Sequence, residues 1–186
     1  MIEDATAKNN QDTGIYLTGT GITVENTYIK NSEYGLAIGE NNEITLDGDI
    51  TVTNNKYGAR APSDAQGTVY VTGDFNLNRN VVGLLPLSDK FTIAVGGSYS
   101  GKSGKSGSGS LTACDNNGYD IDNDVGANFE GSDYTCGTTN GPVPECKPCH
   151  PGCDESSASE TSQAMAQDTM ATFMEAQPML PSDGLP

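Results

Sequence analysis

Tryptophan is absent, and only 34% of residues are hydrophobic. No apolar run approaches the roughly eighteen residues of a membrane-crossing helix, so the sequence predicts no membrane span in this chain. Basic residues are also scarce: Lys and Arg number 9 against 25 Asp and Glu, a formal net charge of −16. Such a chain repels phosphate backbones and anionic membrane surfaces, which argues against nucleic-acid binding and favours cations or partners that carry them. The start, Met1-Ile2-Glu3-Asp4, lacks the basic and then apolar pattern of a secretory signal.

What is plentiful is glycine, 23 residues, in a composition that suits short strands and many turns. Cys114, Cys136, Cys146, Cys149 and Cys153 all fall late in the chain, in a Gly/Pro/Asn-rich setting typical of extracellular disulfides. Taken together, these features predict an extracellular or cell-surface protein of which this chain is a fragment lacking its true N-terminus.

The stretch NSEYGLAI, from Asn31, returns as NNKYGARA from Asn54. Aligning Gly14, Gly35, Gly58, Gly83 and Gly118 divides the chain into units of roughly two to three dozen residues. After each of these glycines, apolar or small residues alternate: Ile15/Leu17, Leu36/Ile38, Ala59/Ala61, Leu84/Pro86 and Tyr119/Ile121. A second row follows in Ile22/Val24, Ile44/Leu46, Val69/Val71 and Ile93/Val95. A third comes in Thr27/Ile29, Ile50/Val52, Phe75/Leu77 and Tyr99.

Each unit is therefore expected to hold three short strands with a two-residue period. One unit cannot bury its own inward row. Stacking units about 4.8 Å apart pairs equivalent strands and joins the rows into a continuous core. The predicted fold class is all-β: a parallel β-helix of about five coils, right-handed by the usual crossover rule. Asn10, Asn31 and Asn54, each four residues before the aligned glycine, are expected at the bends, where asparagine tolerates the left-handed region and can bond its counterpart in the next coil.

This repeat grammar resembles the right-handed parallel β-helix, pectin-lyase-like repeat family of secreted polysaccharide-active and surface proteins. The resemblance covers roughly residues 9 to 136. It implies polysaccharides or cell-surface glycans as partners. Three parts are predicted: the β-helix over 1–136, with a flexible Gly/Ser insertion at 100–110; a Cys-rich disulfide segment over 137–154; and an acidic, mostly disordered Ser/Met-rich tail over 155–186. The stretch CKPCHPGC, from Cys146, resembles the opening of a furin-like cysteine-rich repeat, cut short. Cys114 and Cys136 flank the last coil and are expected to bridge it.

The Asn-Thr-Asp, Asp-Asp and Gly-His-Gly signatures of the polygalacturonase branch are missing, and the lone histidine, His150, lies beyond the coils. The leading expectation is a non-catalytic β-helix scaffold that binds glycans or divalent cations and needs no cofactor. The alternative is a truncated Ca²⁺-dependent uronate lyase with Arg60 or Arg79 as base. Asp47, Asp49 and Asp74 stack at one corner as weak Ca²⁺ candidates. Asp120, Asp122 and Asp124 alternate like the start of a calcium loop, but Val125 stands where that loop requires glycine.

Overall fold

A computed structural model describes residues 1–96 and 108–149. Tyr99, most of the predicted Gly/Ser insertion, His150, Cys153 and the 155–186 tail lie outside these residues. No helix occurs among the described residues, and none is long and apolar enough to cross a membrane.

The strands come in successive triplets. The first coil holds β1 (Ile2–Glu3), β2 (Thr6–Lys8) and β3 (Thr13–Leu17), and the second β4 (Thr20–Glu25), β5 (Tyr28–Lys30) and β6 (Tyr34–Ile38). Next come β7 (Asn42–Asp47), β8 (Asp49–Thr53) and β9 (Tyr57–Ala61), then β10 (Gly67–Val71), β11 (Asp74–Asn76) and β12 (Val82–Pro86). The last two levels are β13 (Phe91–Val95), β14 (Ser110–Ala113) and β15 (Ile121–Asp122), then β16 (Asn128–Gly131), β17 (Tyr134–Cys136) and β18 (Thr139–Asn140).

Each strand pairs in parallel with its equivalent one coil away, giving three six-stranded sheets: β1-β4-β7-β10-β13-β16, β2-β5-β8-β11-β14-β17 and β3-β6-β9-β12-β15-β18. The chain thus forms a parallel β-helix of about five coils, as the repeats predict. Register follows the inward rows: Ile22, Ile44, Val69 and Ile93 align, as do Ile29 with Val52 and Leu36 with Ala59. Ile29, Leu36, Ile44 and Val52 are wholly buried. Each such side chain removed from water contributes about 1.5 to 3 kcal/mol, and a helix-type period would send half of them to the surface.

Two predictions of register need correction. After the insertion it is Leu111, in register with Phe75, that continues the second sheet. In the last full coil Leu84 pairs with Ile121, so Asp120, and not Gly118, stands in the glycine position. Tyr119, expected inside, is 39% exposed.

The glycine position is crowded in the earlier coils. A Cβ at Gly35, Gly58 or Gly83 would lie 2.9, 2.8 or 2.7 Å from the amide nitrogen of Asn55, Asn80 or Asn116 in the following coil. Each glycine thereby makes room for an asparagine, buried at Asn55 and Asn80 and half-buried at Asn116. The expected bond between bend asparagines forms where Asn31 Nδ2 donates to Asn9 Oδ1 at 2.8 Å, and these buried or half-buried asparagines form a second ladder one residue further on. Asn55 Oδ1 accepts from Ser32 N at 2.9 Å, Asn80 Oδ1 from Asn55 N at 3.0 Å, and Asn116 Oδ1 from Asn80 N at 2.8 Å. Asn31 and Asn54 do take the left-handed region, at φ 57° and 56°, and Asn9 does so in the first coil instead of Asn10. The ladder ends where no further asparagine follows, and there a carboxylate fits where glycine was needed before.

The disulfides differ from the predicted pairing. Cys114 bonds Cys149 and Cys136 bonds Cys146, with Cα separations of 5.8 and 5.4 Å. Cys114 and Cys136 close the last coil, but they do so by fastening the following segment across it. That segment extends the second sheet: Lys147 N donates to Tyr134 O at 2.8 Å and Cys136 N to Lys147 O at 3.1 Å. The third sheet also continues past Cys136, through β18.

Candidate binding cleft

The outward positions of the third sheet set it apart from the other two. On the first sheet the outward register positions include Thr23, Thr45, Glu43, Thr68 and a single tyrosine, Tyr70, and on the second Thr51, Asn76, Thr112 and a single tyrosine, Tyr28. On the third, one outward column aligns Thr13, Tyr34, Tyr57 and Val82, and the next aligns Tyr16, Ala37, Arg60 and Leu85. In β6 and β9 two consecutive residues, Gly35-Leu36 and Gly58-Ala59, are buried, and this break in the alternation leaves the tyrosine before each glycine on the outside along with Ala37 and Arg60.

Tyr34 and Tyr57 stack with ring centroids 5.4 Å apart and planes 11° from parallel. The Arg60 guanidinium sits over the Tyr34 ring, 4.8 Å from its centroid, and the Lys56 ammonium lies 5.2 Å from that of Tyr57. Cations favour such positions because the ring face carries negative quadrupole density. Lys56 also pairs with Glu33 at 3.0 Å, and that hydrogen bond, helped by the nearby Tyr57 and Glu33 charge, raises its pKa. Arg60 forms no ion pair among the described residues and keeps its donor fork free.

Arg60 and Tyr34 line a cleft of about 480 Å³ with Asp12, Thr13, Tyr16 and Pro62. Tyr16 is 61% exposed, so its ring forms an open wall. Of the predicted site residues only Arg60 reaches this cleft. Arg79 lies exposed at a corner with φ 59°, preceding the third sheet one coil later. Asp49 and Asp74 align at the start of β8 and β11, where Asp74 accepts from Ser110 Oγ at 2.8 Å. They therefore belong to the second sheet, whereas Arg60 faces outward from the third. Asp47 aligns with Glu25 on the first.

Asp120, Asp122 and Asp124 do not converge. Asp120 is 4% exposed and accepts from Asn116 N and Nδ2 and from the backbone N–H groups of Gly137 and Thr138. Asp122 accepts from Asn140 Nδ2 at 2.9 Å, and Asp124 is exposed. Among the described residues, no group of three or more His, Cys, Asp or Glu is arranged to hold a metal ion. Cys114, Cys136, Cys146 and Cys149 are all spent in disulfides.

Tyr16, Tyr34, Tyr57 and Asp12 were not among the predicted site residues. The sequence signal for Tyr34 and Tyr57 is the doubled Tyr-Gly of YGLAI and YGARA; Tyr16 and Asp12 carry no such repeat. No protein-family model, curated protein or solved structure matches this chain.

Proposed function

We propose that this protein is a non-catalytic extracellular or cell-surface β-helix module, a rigid scaffold that binds glycans in the cleft between Tyr16, Tyr34 and Arg60. The observation that carries the reading is the Tyr34–Tyr57 stack with the unpaired Arg60 lying over it. Flat aromatic faces suit the apolar faces of sugar rings, and the guanidinium supplies planar donors to hydroxyl or carboxylate oxygens. The parallel sheets fix these side chains, so binding costs little ordering. Two disulfides support an oxidising compartment, and the resemblance to pectin-lyase-like repeats supports glycans as ligands. Calorimetric titration with a panel of neutral and acidic oligosaccharides tests it: at least one should bind the wild type, and Tyr34→Ala should abolish that binding. A folded wild type that binds none of them rejects the reading.

A second reading is the truncated uronate lyase, and the observation in its favour is that Asp12 lines the cleft with Arg60. Against it stand the intrinsic basicity of arginine, which resists acting as a base, and the position of Asp49 and Asp74 on another sheet.

A further inference from the structure

The second sheet is the face bounded on one side by the corner from the first sheet and on the other by the corner to the third. Over the first four coils its charges are sorted between these two edges. At the corner where its strands begin, the first, third and fourth coils carry Asp4, Asp49 and Asp74; in the second, Asn26 holds that register and Glu25, the last residue of β4, stands one place before it, and none of these four corners holds Lys or Arg. Where its strands end, Lys8 closes β2, Lys30 closes β5, and Arg79 follows β11. In a chain with so few cations, three of them occupy one edge of one sheet.

These groups do not neutralise one another within the chain. Among the described residues the ion pairs are Lys56–Glu33 and Lys147–Asp133, so Lys8, Lys30 and Arg79 enter none. Lys8 and Lys30 are in register one coil apart, an unfavourable pairing of like charges, and both ammonium groups lie beside the Tyr28 ring, 6.0 and 5.6 Å from its centroid. Between the charged edges the register row Thr6, Tyr28, Thr51, Asn76 and Thr112 presents mostly short polar side chains, a surface another sheet can approach.

We infer that the second sheet is a homodimer interface, and that its partner is a second copy of this chain related by a two-fold axis parallel to the coil axis. With the second sheets face to face, this operation places the start of each strand against the end of the same strand in the other copy, at the same level. Lys8 then faces Asp4 and Arg79 faces Asp74, while Lys30 faces the corner where Glu25 precedes Asn26, and the two-fold repeats each pairing. Both copies share one coil spacing, so facing strands stay level; the third coil, whose strand ends at Thr53, offers no cation to Asp49. The net charge opposes association at long range. At physiological ionic strength that repulsion is screened beyond about 8 Å, while the facing pairs act at shorter range. The Tyr34–Arg60 cleft lies on the third sheet and stays open in this arrangement.

Sedimentation velocity of the full chain at physiological salt tests the inference. The wild type should show a concentration-dependent monomer–dimer equilibrium. Lys8→Glu/Lys30→Glu/Arg79→Glu should weaken it at least about tenfold, and so should Asp4→Lys/Glu25→Lys/Asp74→Lys. Mixing the two reversed chains should restore a dimer, which also shows that both variants are folded. A wild type that stays monomeric at the highest soluble concentration, or a dimer indifferent to both reversals, overturns the proposal.

Discussion

Asn116 donates both its backbone N–H and its side-chain amide to one oxygen of Asp120, at 3.2 and 2.7 Å. The other oxygen of Asp120 receives the backbone N–H groups of Gly137 and Thr138, at 3.0 and 2.9 Å. One buried carboxylate thus ends the asparagine ladder and ties the last full coil to the segment after it. Asp120→Ala leaves four donors without their acceptor and should cost about 3 kcal/mol or more by denaturant unfolding. Asp120→Asn, which keeps one acceptor oxygen, should cost less. Equal stability of Asp120→Ala and wild type would refute this role.

The glycines of the repeat are steric requirements set by the next coil. A Cβ on Gly58 would lie 2.5 Å from Gly83 O and 2.8 Å from the Asn80 amide nitrogen. Gly58→Ala should therefore cost about 1 to 3 kcal/mol through overpacking. Because the Gly83 carbonyl belongs to the backbone, adding Asn80→Ala should not recover the loss. A thermal melt of the single and double variants decides it.

The inward rows were legible because a two-residue period leaves little freedom: once Leu36 and Ile38 face inward, Ile44 and Leu46 follow, and all four are buried. Three features escaped. The hydrogen-bonded ladder runs through Asn55 and Asn80, next to the residues that take the left-handed bend, and sequence spacing alone does not separate neighbouring asparagines. Asp120 broke the glycine alignment because its carboxylate binds Asn116 on one side and the Gly137 and Thr138 N–H groups on the other, a role set by residues of two other segments. The disulfide partners are set by the segment folding back across the coil end, a long-range contact without local signature. For the cleft, Arg60 was visible as an outward basic residue, whereas Tyr34 and Tyr57 gained meaning only once register stacked them.

Peptide mapping under non-reducing conditions should recover Cys114 joined to Cys149 and Cys136 joined to Cys146. A Cys114–Cys136 peptide would contradict the closure described here. Removing the Cys114–Cys149 bridge by paired serine substitution should cost about 3 kcal/mol, since it spans the longer of the two loops.

If the protein is non-catalytic, no unsaturated uronate should appear by ultraviolet absorbance when folded protein meets pectate, alginate or other acidic polysaccharides, with Ca²⁺ or with chelator. Calcium-dependent release that Arg60→Ala or Arg79→Ala removes would establish the lyase reading instead.

The most direct test of the central claim is a backbone NMR titration with a glycan that binds, following each strand of the coil separately. The account predicts shifts concentrated on β3, β6 and β9 around Tyr16, Tyr34 and Arg60, which disappear in Arg60→Ala while the rest of the spectrum stays unchanged. Shifts centred on Asp49 and Asp74 in the second sheet, with the third sheet silent, would contradict it.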